Sequence, residues 1–309
     1  MDDLREIRRL RASRYANQRE SASMEVDSGD TRRRSRSPRR SVDDELRVLS
    51  WNVDGLDSEG DDVEDMLGRT LWIVKTINEC RPHVVFLQEL IDFNLQIFRE
   101  TLGKSYTVIV QSNPRQPYFV GILVHKATVD ILGAPSDIPF PTSKMGRGGV
   151  AVRMKLKGST NTYECITCHF ESLRESSGER IYQLSIMDDY IRKQQKNENH
   201  HCTVIVGGDL NIRDNEVPNE WKVRDSWILG GRDKENEFTW DLQLNDNARM
   251  PNGGKPRCRF DRLYLFSSKN KTQVPKAFSL VGKERVPGLG RFASDHFGIL
   301  LSLANGHVS

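Results

Sequence analysis

In the stretch His83-Val84-Val85-Phe86-Leu87-Gln88-Glu89, a short apolar run ends on a carboxamide and a carboxylate. An apolar run of that length, without alternation, reads as a strand buried on both faces. It implies a sheet covered on each side. Upstream, Pro82 closes a helical segment over 62–80 in which Val63, Leu67, Leu71, Val74 and Ile77 share one face. Earlier still, Arg47-Val48-Leu49-Ser50-Trp51 reads as a strand that delivers Asn52 at its end.

Downstream the pattern keeps switching between strand and helix. A helix is expected over 92–102, then strands over 106–111, 120–125 and 149–157, the last with Val150, Val152, Met154 and Leu156 on one face. A strand over 162–168 leads to His169, a helix follows over 179–196, and 203–206 leads to Gly207-Gly208-Asp209. There the glycines are expected to let the chain turn at the strand end. Late strands over 260–266 and 297–303 finish the pattern. The economical solution is an α/β (α+β) fold: two packed mixed β-sheets flanked by helices, a four-layer sandwich.

Residues 1–45 differ in kind. Arginines recur from Arg5 to Arg19, and Thr31-Arg32-Arg33-Arg34-Ser35-Arg36-Ser37-Pro38-Arg39-Arg40-Ser41 has no apolar partner to bury. Such a segment cannot offset its ordering entropy, so a disordered Arg/Ser-rich tail is expected over 1–45, with the catalytic domain over 46–305. Clustered arginines of this form suit nuclear import, tunable by phosphorylation of Ser35 or Ser37. The expected location is the nucleus, with the cytoplasm left open. Net charge over the 309 residues is only +3, so a polyanion must be met by local clusters rather than by an overall field. The five cysteines, odd in number and irregularly spaced, point to a reducing compartment. Cys165 and Cys168 lack a second pair for zinc, and three apart on a strand they face opposite ways. No apolar run approaches the ~18 residues of a membrane helix, so no membrane partner is expected.

The chemistry concentrates at strand ends. Glu89 emerges beside Asn52, and a hard cation such as Mg²⁺ is satisfied by one carboxylate with a carboxamide nearby, since it keeps several waters. Alone, Glu89 reads equally well as a cap for the helix at 92. Asp209 and Asn211 are placed to hold an attacking water or take its proton, although an ordinary Asp/Asn turn would look the same. His296 needs an orienting carboxylate to stay cationic, and Asp261 in Phe260-Asp261-Arg262 is the natural candidate. Asp295 would assist the metal shell or the water. His169 would donate to a non-bridging phosphate oxygen, with Glu171 and Ser172 supporting its loop. Trp51 reads as structural.

The ordered set Trp51-Asn52, Gln88-Glu89, His169-Phe170-Glu171, Gly208-Asp209-Leu210-Asn211, Phe260-Asp261-Arg262 and Ser294-Asp295-His296 resembles the endonuclease/exonuclease/phosphatase superfamily over nearly all of 46–303. Trp51 to Asp57, Met145-Gly146-Arg147, Phe238-Thr239-Trp240-Asp241 and Ser294-Asp295-His296-Phe297-Gly298 are similar to the branch that cleaves 5′-phosphotyrosyl DNA. The resemblance implies Mg²⁺, with Mn²⁺ able to substitute, held by Glu89, Asn52 and Asp209. Catalysis would fall to Asn52, Asp209, Asn211, His296, Asp261, His169 and Asp295. Arg213, Trp240, Phe260, Arg147 and Ser172 would meet substrate, Arg147 from a mobile loop closing on DNA. The implied substrate is DNA whose 5′ phosphate is linked to a trapped topoisomerase II tyrosine, and the implied enzyme is a monomer serving double-strand break repair. Competing readings are another nuclease or phosphodiesterase of this fold, such as an abasic endonuclease or a deadenylase, and an adaptor with a vestigial site. An abasic duplex or poly(A) as the cleaved substrate marks the first; the presence of every reacting group speaks against the second.

Overall fold

Two parallel βαβ units form the frame. In the first, β1 (Glu45–Asn52) is followed by helix α1 (Val63–Cys80) and returns as β2 (Val84–Ile91), with Asn52 opposite Gln88. The computed structural model describes residues 45–57, 62–196, 202–267 and 273–304; the Arg/Ser-rich tail lies outside them. Helix α2 (Asp92–Leu102) leads to the hairpin β3 (Tyr106–Val110) and β4 (Tyr118–His125). Short strands β5 (Val129–Ile131) and β6 (Ser136–Pro139) then pair with β7 (Gly148–Leu156). In the second unit, β8 (Thr162–His169) is followed by α3 (Ser177–Lys196) and returns as β9 (Cys202–Asp209), with His169 opposite Asp209. Two one-turn helices, α4 (Asn219–Lys222) and α5 (Ser226–Leu229), precede the small ladder β10 (Trp240–Asp241) and β11 (Arg257–Cys258). Strands β12 (Asp261–Phe266), β13 (Pro275–Val281) and β14 (Gly298–Ala304) complete the chain.

One sheet has the order β13-β14-β1-β2-β4-β3, the other β12-β9-β8-β7-β5 with β6 also on β7. Period-two alternation sorts their side chains into separate cores. Val48, Phe86, Ile122, Val152, Met154, Cys165, Ile205 and Leu301 meet between the sheets. Leu49, Trp51, Val85 and Leu87 turn the other way, onto Ile73 and Ile77 of α1 and Phe98 of α2. Ile166, Cys168, Val204 and Val206 pack on Leu184, Met187 and Ile191 of α3. The result is the expected four-layer sandwich, and Cys165 and Cys168 do sit on opposite faces. Among the described residues, no helix is long and apolar enough to cross a membrane.

The buried face of α1 holds Leu67, Val74 and Ile77, as the apolar spacing predicts, but extends to Arg69 rather than to Val63. Val63 is exposed, while Arg69, Thr70, Ile73 and Ile77 are buried. The cause is electrostatic: the Arg69 guanidinium is drawn inward by Asp54, Asp57 and Asp65. Gly207 and Gly208 also differ from expectation, since they lie inside β9 rather than in a turn. A Cβ at Gly207 would run into the Arg262 carbonyl on one side, and one at Gly208 into the Cys168 carbonyl on the other. Gly208 has φ 130, which further restricts the position to glycine. Their missing side chains let β9 fit between β8 and β12, and so carry Asp209 to the rim.

Candidate active site at the strand-end rim

The parallel strands of both units end at one rim, where antiparallel β12 and β14 begin. Asp261, first residue of β12, is therefore opposite Asp209, last residue of β9. Gln88 spans the sheets there, donating from Nε2 to Thr167 Oγ1 at 2.9 Å. Asn52 is oriented by two partners: Oδ1 accepts from the Asp54 amide (3.0 Å), and Nδ2 donates to Asp209 Oδ2 (3.0 Å). Glu89 occupies a bulge of β2, where pairing with β4 shifts between Leu87 and Leu90. Its φ of 53 lies in the left-handed region, as do those of Asp54 (50) and Asn211 (49). The bulge re-aims residue 89 toward the rim while β2 runs on to Ile91.

Asp209 is the hub. Its Oδ2 accepts from Asn52 and stands 3.2 Å from His169 Nε2, and its Oδ1 accepts from the Asn211 amide at 3.0 Å. Burial pushes this carboxyl up, but His296, His169 and Asn52 together outweigh it and hold it well below the usual carboxylate range. Asp209 is an anion at any working pH.

The two histidines are held in opposite charge states. Arg147, whose guanidinium can only donate, bonds His169 Nδ1, so the ring proton sits on Nε2. Burial and the Arg147 charge lower the His169 pKa against the opposing pull of Asp209 and Glu89, leaving a neutral donor. For His296, burial again pulls downward, yet Asp261, Asp295 and Asp209 overcome it and hold the imidazole well above its ordinary value. Its Nδ1 lies 2.7 Å from Asp261 Oδ2, which is the pairing expected from the sequence. The backbone is fixed as well. Trp51 Nε1 donates to the His296 carbonyl (2.9 Å), and Ser294 Oγ accepts from the His296 amide (3.0 Å) while donating to the Asn52 carbonyl (2.6 Å). Trp51 is thus structural in a specific sense: it anchors the cationic histidine.

Asp295 joins from the side, its Oδ2 accepting from Trp240 Nε1 at 3.0 Å and its Oδ1 3.8 Å from His296 Nε2. Asp54 belongs to the site too, although the sequence singled it out only as part of the Trp51–Asp57 run. Its carboxyl is pushed well up by burial, then by Asp295 and Glu89, with Arg69 opposing. Crowded carboxylates of this kind are relieved by a cation. Glu89, His169 and Asp209 each bring a ligand atom within 4.8 Å of the others. Oxygen donors dominate this edge, which suits a hard divalent ion. Glu89 and Asp209 supply the carboxylates of this cluster, and Asn52 adjoins it through Asp209.

The remaining sequence candidates divide into two groups. Trp240 and Phe260 form a half-buried aromatic pair, centroids 5.4 Å apart at 39°, with the Arg213 guanidinium 5.7 Å from the Phe260 ring. This is an open platform beside the reacting groups. Arg147, by contrast, is buried and not on an open loop. It lies over the Tyr118 ring (4.7 Å), and its Nη2 donates to Ser172 Oγ (3.0 Å). The loop before it is pinned because the Glu171 carboxylate gathers Ser143 Oγ and the amides of Lys144 and Met145. The glycines around Arg147 suggested mobility; the buried acceptor Glu171 supplies order instead. Tyr118 carried no sequence signal, since it comes from the opposite sheet.

An ionised aspartate, a neutral histidine donor, an imidazolium and a cation-ready carboxylate edge around one small space form the site of a phosphate-ester hydrolase. The endonuclease/exonuclease/phosphatase family profile matches residues 49–296, and the chain belongs to that family. It is 35% identical over 264 residues to tyrosyl-DNA phosphodiesterase 2 of Rattus norvegicus, covering 84% of this chain and 66% of that protein. The Homo sapiens counterpart is 31% identical over 83% of this chain and 67% of its own length. The chain thus spans about two thirds of these relatives. Among solved structures, D. rerio TDP2 complexed with single-strand DNA product superposes with a TM-score of 0.73 at 32% identity, covering 84% of this chain and 98% of that one. An endonuclease/exonuclease/phosphatase family protein of Bacteroides thetaiotaomicron shares the fold at 14% identity and a TM-score of 0.66.

Proposed function

We propose that the protein hydrolyses the 5′-phosphotyrosyl bond between DNA and a trapped topoisomerase II tyrosine, with Mg²⁺, leaving a 5′ phosphate fit for double-strand break repair. The observation that carries this reading is the pairing of a buried Asp261–His296 dyad with Asp209, beside an aromatic platform open to a nucleotide. The similarity to tyrosyl-DNA phosphodiesterase 2 supports the substrate.

Bound at Glu89, Asn52 and Asp209, a divalent ion would supply Lewis-acid polarisation of a phosphate oxygen, and Mn²⁺ offers the same chemistry. The chain's own groups do the rest. Asn211 helps hold the attacking water, and Asp209, kept ionised, accepts its proton. His296, kept cationic by Asp261, faces the charge that develops on the transferring phosphoryl group, and the Nε2–H of His169 donates to it. The tyrosine leaves as a phenolate of pKa about 10, so no strong general acid is required. Trp240 and Phe260 would stack the terminal nucleotide, with Arg213 against its phosphate backbone. The arginine cluster from Arg32 to Arg40 and the DNA substrate together favour a nuclear location, and a monomer suffices because one chain supplies the whole rim.

The test is release from a 5′-phosphotyrosyl oligonucleotide with Mg²⁺ and with chelator. A 3′-phosphotyrosyl strand, an abasic duplex and poly(A) run beside it. Metal-dependent release confined to the 5′ substrate is the expected result. Incision of the abasic duplex, or degradation of poly(A), with silence on the 5′ substrate would reassign the enzyme within its family.

A further inference from the structure

Each βαβ unit sends one fully buried arginine from its crossover helix back to the rim. Arg69 of α1 donates to the carbonyls of Asp54 and Ala293 (3.4 Å each) and pairs with Asp57 (3.2 Å) and Asp65 (2.9 Å). It therefore joins the loop leaving β1, which starts at Asn52, to the loop that reaches Asp295 and His296. Arg291 shares Asp57 and Asp65 and closes this network from outside. Arg180 of α3 repeats the arrangement in the other half. It donates to the carbonyls of Glu171 (3.1 Å) and Leu173, and forks onto both oxygens of Glu216 (3.0 and 2.6 Å). Glu216 in turn accepts from the Arg213 amide at 2.9 Å. Arg180 thus joins the loop leaving β8, which starts at His169, to the loop that carries Asn211 and Arg213. Leu173 sits there with φ 72, a backbone conformation that needs such a hold.

We propose that Arg69 and Arg180 are positioning residues, each locking one half of the site: Arg69 sets Asn52 against His296, and Arg180 sets His169 against Asn211. Neither touches the reacting atoms. Lysine keeps the charge at either position but cannot reach two carbonyls and a carboxylate at once, because it offers a point charge in place of a planar fork. The kinetic part of the test rests on the phosphodiesterase reading; the exchange part does not.

The experiment compares Arg180→Lys and Arg69→Lys with Leu184→Ala and Ile73→Ala, core substitutions on the same two helices. Because Arg180→Lys can leave Glu216 unpaired and unfold the chain, the double variant Arg180→Met/Glu216→Met is included, which removes both charges together. Release from the 5′-phosphotyrosyl oligonucleotide is measured for kcat and KM alongside Tm. Misplacement of reacting groups by about 1 Å costs on the order of 10² in rate, so kcat is expected to fall by that order in the arginine variants. The core variants, losing as much Tm or more, should keep kcat within about threefold when assayed below their transitions. Hydrogen exchange should show mirror images. Arg180→Lys loosens 170–174 and 210–217 and leaves 52–57 and 291–296 protected, and Arg69→Lys does the reverse. A kcat loss no greater than that of the core variants, or exchange that rises equally in both halves or in neither, overturns the proposal. Inactivity of the unmodified protein on the oligonucleotide would sink the substrate assignment alone, and the exchange pattern would still decide the clamps.

Discussion

Replacing Asp261 with asparagine isolates the charge behind His296 while keeping its shape. The Asp261 Oδ2 to His296 Nδ1 contact is 2.7 Å and both groups are buried. At an effective dielectric of about 20, unit charges with centres about 4 Å apart attract by about 4 kcal/mol. If all of that stabilisation acts in the transition state, its loss amounts to about 10³ in rate. Asparagine still accepts one neutral hydrogen bond, worth about 1 kcal/mol, so the expected loss in kcat is roughly 10² to 10³. The pH profile should change with it. His296 is held well above its ordinary pKa chiefly by overcoming burial through Asp261, so the imidazolium persists through neutral pH. In Asp261→Asn the basic limb should move to lower pH. The stability contribution follows the same sign: it is fully present below the unfolded value of about 6.5 and lost as pH rises through the folded pKa. That slope should flatten in the variant. Cleavage of the 5′-phosphotyrosyl oligonucleotide from pH 6 to 9.5, with an NMR titration of the His296 ring, measures both effects. Full activity with an unmoved basic limb would refute the account of His296 as a cation sustained by Asp261.

Glu89→Gln should remain folded yet lose at least about 10³ in kcat, because a carboxylate facing the cation is replaced by a neutral amide; titration calorimetry should register weakened Mg²⁺ binding. Phe260→Ala should raise KM roughly tenfold, within the ~1–3 kcal/mol of one stacked base, and leave kcat nearly unchanged; a kcat collapse instead would place Phe260 in the reacting shell. Glu216, pushed up by burial but held down to about 2 by Arg180, Ser177 and the Arg213 amide, contributes stability present above the unfolded value and lost as pH falls toward about 2. Denaturant melts of Glu216→Gln should therefore show a shallower loss of stability across that acidic window than the unmodified chain.

Much of this was legible in the sequence because strand ends are. Apolar runs such as Val84 to Leu87 locate the sheet, and the polar residue that follows each run lands at the rim, as Asn52, His169 and Asp209 do. The Asp261–His296 pair was readable because each residue flanks a strand start. Asp54 was harder, since its role depends on a left-handed turn that brings it back beside Glu89 and Asp295. Arg69 and Arg180 were invisible for a different reason. Pattern reading assigns arginine to the solvent face of a helix, and only the distant carboxylates and carbonyls reverse that. The supposed mobility around Arg147 failed similarly: three glycines argue for freedom only until Glu171, from the loop after β8, is known to bind that segment.

Glu89, Asp54 and Asn211 share left-handed backbone at φ 53, 50 and 49. Such conformations cost on the order of 1–3 kcal/mol each in a non-glycine residue. Glycine would relax each one, so these three strained positions of the rim are also ones where a change would make the protein sturdier. A selection for thermal robustness alone, blind to turnover, should accept substitutions here. The rim would be dismantled from its most uncomfortable residues outward, and a hardened, inert sandwich would remain.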